Sequence, residues 1–364
     1  MLEIYLPIVQ VNVDIFLLLF LSLLVGVLSG LFGVGGGFLM TPFLIFMGIP
    51  PVYAVPNEVN NILATSVSGS LTHWFKNTLD YKMGFMIMCG GVIGTSLGMT
   101  TFSYFSDIGK ISTIISLLYM YLLAIVGTLM LIDTFKESRK KEKLKKKLHD
   151  HNWFQGLPFR MRFPKSKLYE SAFTPILLGL VVGFVAAMMG IGGAFLMVPA
   201  MIYIVGMPVK LIPGTSLFVT IFISAIVTVL HAFNYGSIDL FLVVPLIFGS
   251  IVGVQLGQKL GQYLDGTHLK SLFALLLCSV AIAIAYDSFF RDKTNLNGTQ
   301  IAKSDLNSLA EFSLKFNNEA PFLYGALAII LAISLGALTA WIRKIVSDLR
   351  KVKPKAEEVK FPSK

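Results

Sequence analysis

The chain has 364 residues, of which 55% are hydrophobic and only 14% are charged. Soluble domains carry about 25% charged residues, so this composition excludes a soluble globule and predicts an integral membrane protein. The net charge of +10 comes from clusters of Lys and Arg flanking apolar segments, which favours anionic lipid headgroups over nucleic acid as the partner.

Apolar segments follow one another along almost the whole chain and predict an all-α, polytopic fold. A full membrane span takes about 20 residues, and the second and seventh segments are clearly shorter. The eleven segments are 13–33, 38–48, 59–75, 83–104, 111–133, 173–190, 194–206, 214–233, 240–260, 269–290 and 321–342.

A seventeen-residue stretch occurs twice. Gly26 to Pro42 reads GVLSGLFGVGGGFLMTP, Gly183 to Pro199 reads GFVAAMMGIGGAFLMVP, and eight positions are identical. Smaller echoes continue, pairing His73 with His231 and Asp80 with Asp239. The chain is therefore predicted to be a duplicated unit, with a glycine-rich break in each copy. Paired interrupted segments of this kind are typical of transporters with a site at the breaks.

The two glycine breaks are the first candidate site. Neither fits a nucleotide-binding loop, because the third Rossmann glycine would fall at Phe38 and no Gly-Lys-Ser/Thr follows. Glycine permits a sharp turn and close approach of backbone amides, and the helix that starts after it favours an anion. The alternative is that these glycines only allow tight helix packing. The candidate substrate-binding residues here are Gly33, Gly35, Gly36, Gly37 and Pro42, with Gly190, Gly192, Gly193 and Pro199 in the second copy.

A second candidate is a helix start after each short segment, with capping side chains and open amides. If the chain folds back at the breaks, these starts meet the breaks near the centre; the alternative is ordinary capping at the membrane surface. Glu58 is a candidate proton carrier, or an acid in the outer headgroup region. The candidate residues are Asn57, Glu58, Asn60 and Asn61 in the first repeat and Gly214, Thr215 and Ser216 in the second.

Further glycines, spaced by four, predict helix packing rather than a site. They are Gly90, Gly94 and Gly98 in one repeat and Gly249, Gly253 and Gly257 in the other. A conservative Gly94→Ala change is therefore expected to cost only modest activity. His73 and His231 are predicted to be capping or interfacial, because no Cys, His or Asp spacing supplies a metal site. Neither a metal nor a cofactor is predicted.

The distribution of cations predicts the topology. Twelve Lys and Arg residues lie between Lys136 and Lys167, and six more between Arg343 and Lys355; such clusters mark the cytoplasmic side. The N-terminus is then outside, and an odd number of crossings per repeat makes the repeats inverted. The short segments either cross fully or are re-entrant. The divisions are repeat 1 (1–134), a basic cytoplasmic linker (135–171), repeat 2 (172–290), an outer polar loop (291–319), an additional transmembrane helix (320–345) and a basic cytoplasmic tail (346–364).

The duplicated G-[VI]-G-G-[GA]-F-L-M-x-P motif and the Pro213-Gly214-Thr215-Ser216 stretch resemble the sulfite exporter (TauE/SafE) family of membrane transporters over roughly residues 13–290. The resemblance implies a bacterial inner-membrane carrier of small sulfur-containing anions such as sulfite, sulfoacetate or related organosulfonates. The first repeat departs from the pattern, with Pro56-Asn57-Glu58 where Gly-Thr-Ser is expected.

We expect a secondary transporter that works by alternating access and is not an enzyme, since no nucleophile–base or metal constellation is present. The alternative is a membrane-embedded scaffold or sensor of the same fold without transport. The residues specify no oligomeric state.

Overall fold

The computed structural model describes residues 3–32, 39–139, 159–208, 210–260, 266–290 and 308–352. The prediction of an all-α polytopic membrane protein is confirmed, because five described helices (α4, α5, α8, α9 and α12) are long and apolar enough to cross a membrane. Every predicted apolar segment contains a helix. The helices are α1 (Ile15–Phe32), α2 (Met40–Phe46), α3 (Pro51–Phe75), α4 (Tyr81–Asp107), α5 (Ile111–Arg139), α6 (Phe173–Met189), α7 (Ala194–Tyr203), α8 (Ile212–Tyr235), α9 (Leu240–Leu260), α10 (Gly266–Phe290), α11 (Ser308–Glu319) and α12 (Pro321–Val352).

Two short antiparallel hairpins were not anticipated from the sequence. One pairs β1 (Glu3–Leu6) with β2 (Val11–Asp14), and the other pairs β3 (Arg160–Phe163) with β4 (Leu168–Ser171). They are separated by 157 residues, the same offset that separates Gly26 from Gly183. Each hairpin therefore opens one copy of the duplicated unit. The predicted linker 135–171 contains the end of α5 and the second hairpin, and its residues 140–158 lie outside the described part.

The first helix of each repeat packs along the fourth helix of the other repeat. Glycines of α4 lie against backbone carbonyls of α6, and glycines of α9 lie in the same way against α1. The packing role predicted for these glycines is confirmed. The expectation for Gly94→Ala is wrong, however, because a methyl group there would overlap the Leu180 carbonyl, and a backbone atom cannot rotate away.

Helices α3 and α8 form an antiparallel central pair. Gly214 at the start of α8 contacts His73 and Thr78 at the end of α3, and Gly69 contacts Leu217. At the opposite end, the Asn57 amide donates to the Ser237 carbonyl at 3.0 Å. We call these the Asp80 end and the Asp239 end, after the residue that precedes α4 and α9 respectively.

The short helices α2 and α7 return to the end from which α1 and α6 start. Seven and ten residues reach only about 10 and 15 Å, against a hydrocarbon thickness of about 30 Å. Helix α6 starts at the Asp80 end, runs parallel to α4, and is followed through α7 by α8, which begins at that same end. The structure therefore favours the re-entrant alternative over full crossings.

Two further helices complete the described fold. α12 packs on α3, where Gly336 lies against the Ala64 carbonyl. α11 lies within the predicted outer loop and is held at the Asp239 end, where the Asn317 amide donates to the Gly236 carbonyl at 2.7 Å.

Candidate functional site

The glycine break of the second repeat reverses the chain between α6 and α7. Gly190, Gly192 and Gly193 have φ values of +73°, +67° and +82°, a left-handed conformation that L-residues with side chains rarely adopt. Pro199 lies inside α7 and Pro42 inside α2. The corresponding glycines of the first repeat (Gly33, Gly35, Gly36 and Gly37) lie outside the described residues.

The second break is pressed against the first half of α3. A Cβ atom at Gly190 would lie 2.9 Å from the Val55 carbonyl oxygen, and one at Gly192 would overlap the Ile62 side chain. Helix α7 then begins at Ala194, the first residue of the predicted seventh segment. The Met197 N–H donates to the Gly193 carbonyl oxygen at 3.0 Å and closes the first turn of α7. The break therefore leads into the N-terminus of α7, and a helix N-terminus favours an anion.

The polar residues of α3 are buried, but they do not cap a helix start. Helix α3 begins at Pro51 and contains Pro56 in its interior, and no side chain caps it. Proline is well suited to the first helical turn, so the earlier Pro51 takes that position. The helix-start prediction is also wrong in detail for α8, which begins at Ile212 without a side-chain cap.

The first-repeat cluster keeps unpartnered polar atoms. Glu58, Asn60 and Asn61 are fully buried. The Asn61 amide donates to both oxygens of Glu58 at 3.2 Å and to Ser250 Oγ at 3.0 Å. Both polar side-chain atoms of Asn60, and Asn61 Oδ1, have no hydrogen-bond partner among the described residues. Because buried polar groups are normally paired, this cluster is a candidate ligand site.

Tyr119 of α5 belongs to this region and was missed in the sequence. Its hydroxyl donates to the Met189 carbonyl at 2.6 Å, directly before the break. A buried tyrosine in an apolar helix usually has such a polar partner. The position of Tyr119 inside segment five was therefore the feature of the sequence that could have indicated its role.

The side chains of Asn57 and Thr215 form hydrogen bonds within the protein, so their polar atoms are already paired. Asp239 N–H donates to Asn57 Oδ1 at 2.7 Å, and Asp80 N–H donates to Thr215 Oγ1 at 3.1 Å. Thr215 also donates to the Leu211 carbonyl at 2.8 Å. We call the two cross-repeat bonds the clasps. They occupy equivalent positions in the two repeats, one at each end of the α3–α8 pair.

Each clasp also holds a hairpin. Asp239 Oδ2 accepts from Ile8 N–H at 2.9 Å, and Asp80 Oδ2 accepts from Ser166 N–H at 3.1 Å. Burial raises the pKa of the Asp239 carboxyl to about 6, against the opposing effect of backbone N–H donors that include Ile8 and Phe241.

The structure thus brings only part of the predicted site together. Glu58, Asn60 and Asn61 lie on the stretch of α3 that contacts the second break. Gly214, Thr215 and Ser216 lie at the Asp80 end beside His73, about 16 Å farther along α3 from Ile62. Ser216 donates to the Pro213 carbonyl at 3.1 Å.

Two cavities elsewhere in the described structure are less suited to an anion than this cluster. A groove of about 640 Å³ between α6 and α7 is almost wholly apolar, with Thr174 as its one hydroxyl-bearing residue, so it does not suit an anion. A second cavity of about 10 Å³ is bordered by Pro42, Ser116 and Tyr119, which is room for a single water at most.

Comparison with known proteins gives a consistent result. The family model for the sulfite exporter TauE/SafE matches residues 18–284. The probable membrane transporter protein YjnA of Bacillus subtilis is 30% identical over 71% of this chain and 95% of its own length. YunE of the same organism, also named a probable membrane transporter protein, is 25% identical over 75% of this chain and 98% of its own. A probable membrane transporter protein of Xylella fastidiosa is 28% identical over 73% and 93%. No solved structure matches the chain.

Proposed function

Since this chain belongs to the sulfite exporter TauE/SafE family of membrane proteins, we propose that it moves small sulfur-containing anions across the membrane by alternating access. Sulfite, sulfoacetate and related organosulfonates are the substrate class. The observation that carries the proposal is the meeting of the second break with the buried polar cluster of α3. The N-terminus of a re-entrant helix beside buried side chains with unpartnered polar atoms is a site for a small anion.

The anion is held without a full countercharge. The described hydrogen bonds to Glu58 come from the Asn61 amide, which also donates to Ser250 Oγ. The N-terminus of α7 supplies roughly half a positive charge. Binding is then weak and reversible, as a carrier requires. We extend the pathway by repeat equivalence to the first break (Gly33 to Gly37), Pro42, Pro199 and the start of α8 (Gly214 to Ser216).

Glu58 is the proposed proton carrier. A buried carboxyl group that accepts a hydrogen bond from Asn61 is a typical coupling group in transporters. A Glu58→Gln variant keeps the shape and the hydrogen bond to Asn61 but cannot release a proton. We expect it to bind sulfite and to lose the dependence of uptake on a pH gradient.

We propose that the repeats are inverted and that the Asp80 end is cytoplasmic. The exchange of packing between repeats, and the clasps at opposite ends, support the inversion. Cations gather at the Asp80 end: Lys165 donates to the Leu79 carbonyl at 3.0 Å, and Lys344 lies 4.5 Å from the Phe75 ring centroid. Glu3 and Asp14 lie in the hairpin at the Asp239 end. Such charge asymmetry orients bacterial inner-membrane proteins, with anionic lipids against the basic linker and tail.

Uptake into liposomes tests the function. Purified protein is reconstituted, and entry of sulfite or sulfoacetate is followed with and without a pH gradient. We expect saturable uptake that is lost in Gly193→Leu, because a side chain at φ +82° is strained and meets Val182. Substrate binding without uptake in the wild-type protein would favour the scaffold or sensor alternative.

A cysteine at position 150, placed in a background that lacks Cys89 and Cys278, tests the orientation. We expect it to react only from the cytoplasmic side; labelling from the outer face of intact cells would contradict the inverted-repeat topology.

A further inference from the structure

A row of hydroxyl groups runs along α8 and was not recognised in the sequence. Ser216, Thr220, Ser224 and Thr228 are spaced by four residues, so they lie on one side of the helix, and all are fully buried. The hydroxyl of Thr220 donates to the Ser216 carbonyl at 2.9 Å. The hydroxyls of Ser224 and Thr228 have no hydrogen-bond partner among the described residues.

These two hydroxyls lie level with the second break. Leu217 is opposite Gly69 in the antiparallel α3–α8 pair. Ser224 lies seven residues after Leu217, and Ile62 lies seven residues before Gly69. Ser224 is therefore level with Ile62, the residue that contacts Gly192. One helical turn further, Thr228 comes level with Glu58.

His231 shows which way this side of α8 faces. It lies three residues after Thr228, on the same side of the helix, and its Nε2 is 3.3 Å from the Ala187 carbonyl oxygen in the last turn of α6. The row therefore faces the end of α6 and the break that follows. Because a carbonyl oxygen only accepts, Nε2 is the donor in this bond.

We propose that Ser224 and Thr228 are substrate contacts that donate hydrogen bonds to the oxygens of the transported oxyanion. The inference rests on the proposed function and adds a second wall to its site, formed by the α8 hydroxyls. Two independent features lie at the same level along α3 and α8. One is the N-terminus of α7, which favours anions, and the other is a pair of buried hydroxyls that have no hydrogen-bond partner within the described ranges. An SO₃ group presents three acceptor oxygens and suits several separate donors better than one.

Binding of sodium sulfite to purified protein tests this inference. A hydrogen bond to a charged group contributes enough that losing it weakens binding about 10- to 100-fold. We expect that loss in Ser224→Ala and in Thr228→Val. Thr220→Val is the matched control, because the Thr220 hydroxyl already has a partner, and it should bind sulfite as the wild type does. Thr228→Ser keeps the donor and should bind sulfite more tightly than Thr228→Val.

Unfolding without sulfite separates this role from a structural one. Since the Ser224 hydroxyl has no partner in the part of the chain that the structure describes, Ser224→Ala should unfold at an unchanged or higher temperature. If Thr228→Val does not fold, Ser224→Ala alone decides. Unchanged sulfite affinity in the alanine variant, with normal binding by the wild type, would overturn this inference only. No binding of sulfite or sulfoacetate by the wild type would instead overturn the proposed function, and the inference with it.

Discussion

Replacing Gly190 by alanine tests whether the second break depends on close contact with α3. Gly109, in the turn between α4 and α5, is the matched control, because it has the same φ of +73°. No heavy atom lies within 4 Å of a Cβ built at Gly109. At Gly190 the new methyl group would lie 2.9 Å from the oxygen and 3.0 Å from the Cα of Val55. Both are backbone atoms and cannot rotate away.

The two variants share one energetic cost and differ in the other. A left-handed conformation costs an L-residue about 1–2 kcal/mol, which applies equally to Gly109→Ala and Gly190→Ala. Overpacking of a buried contact adds about 1–3 kcal/mol, which applies only at Gly190. We therefore expect the free energy of unfolding to fall by about 1–2 kcal/mol in Gly109→Ala and by about 2–5 kcal/mol in Gly190→Ala.

The measurement is denaturant unfolding of both purified variants, together with sulfite uptake in liposomes. Pushing the break away from α3 should also reduce uptake in Gly190→Ala, whereas Gly109→Ala should transport normally. Equal destabilisation of the two variants, or normal uptake in Gly190→Ala, would refute the contact between the break and Val55 as a functional feature.

Three further predictions concern the frame around the site. Gly94→Ala should fold poorly or unfold far below the wild-type midpoint, because its methyl group would overlap the Leu180 carbonyl; a wild-type melting curve would contradict the described α4–α6 packing. Thr215→Val removes the clasp to Asp80 and should cost about 1–3 kcal/mol in unfolding free energy, since a buried N–H loses its acceptor. Thr215→Ser keeps the hydroxyl and should recover the lost stability. Equal stability of the valine and serine variants would count against the clasp. Asp239 makes stability depend on pH: its pKa of about 6 lies above the unfolded value of about 3.9. The raised pKa adds stability that is fully present below pH about 4 and is lost as the pH rises through about 6. Unfolding midpoints from pH 4 to 7 should fall in the wild type and stay flatter in Asp239→Asn; parallel curves would argue against this titration.

Much of the architecture could be predicted from the sequence, because it depends on local composition and on repetition. Long apolar segments must be helical in a membrane, where every backbone group needs an internal partner. The offset between Gly26 and Gly183 showed the duplication without any structure. The shortness of segments two and seven marked them as unusual, and glycines spaced by four indicated packing. The hairpins were missed because four-residue strands are too short to show a clear pattern.

The composition of the site was decided only by the tertiary structure. Gly192 and Ile62 are far apart in sequence, and they meet because each repeat packs its first helix against the other repeat. Asn57 resembled a ligand in sequence, yet its amide is bonded to Ser237 and Asp239, which are 180 or more residues away. In sequence Ser224 is an ordinary helix residue, and it is distinguished only by its burial and by having no hydrogen-bond partner among the residues with described positions. Local pattern determines which helices form and which faces are polar, but the partner of a buried polar group depends on which distant backbone the packing brings within hydrogen-bonding distance.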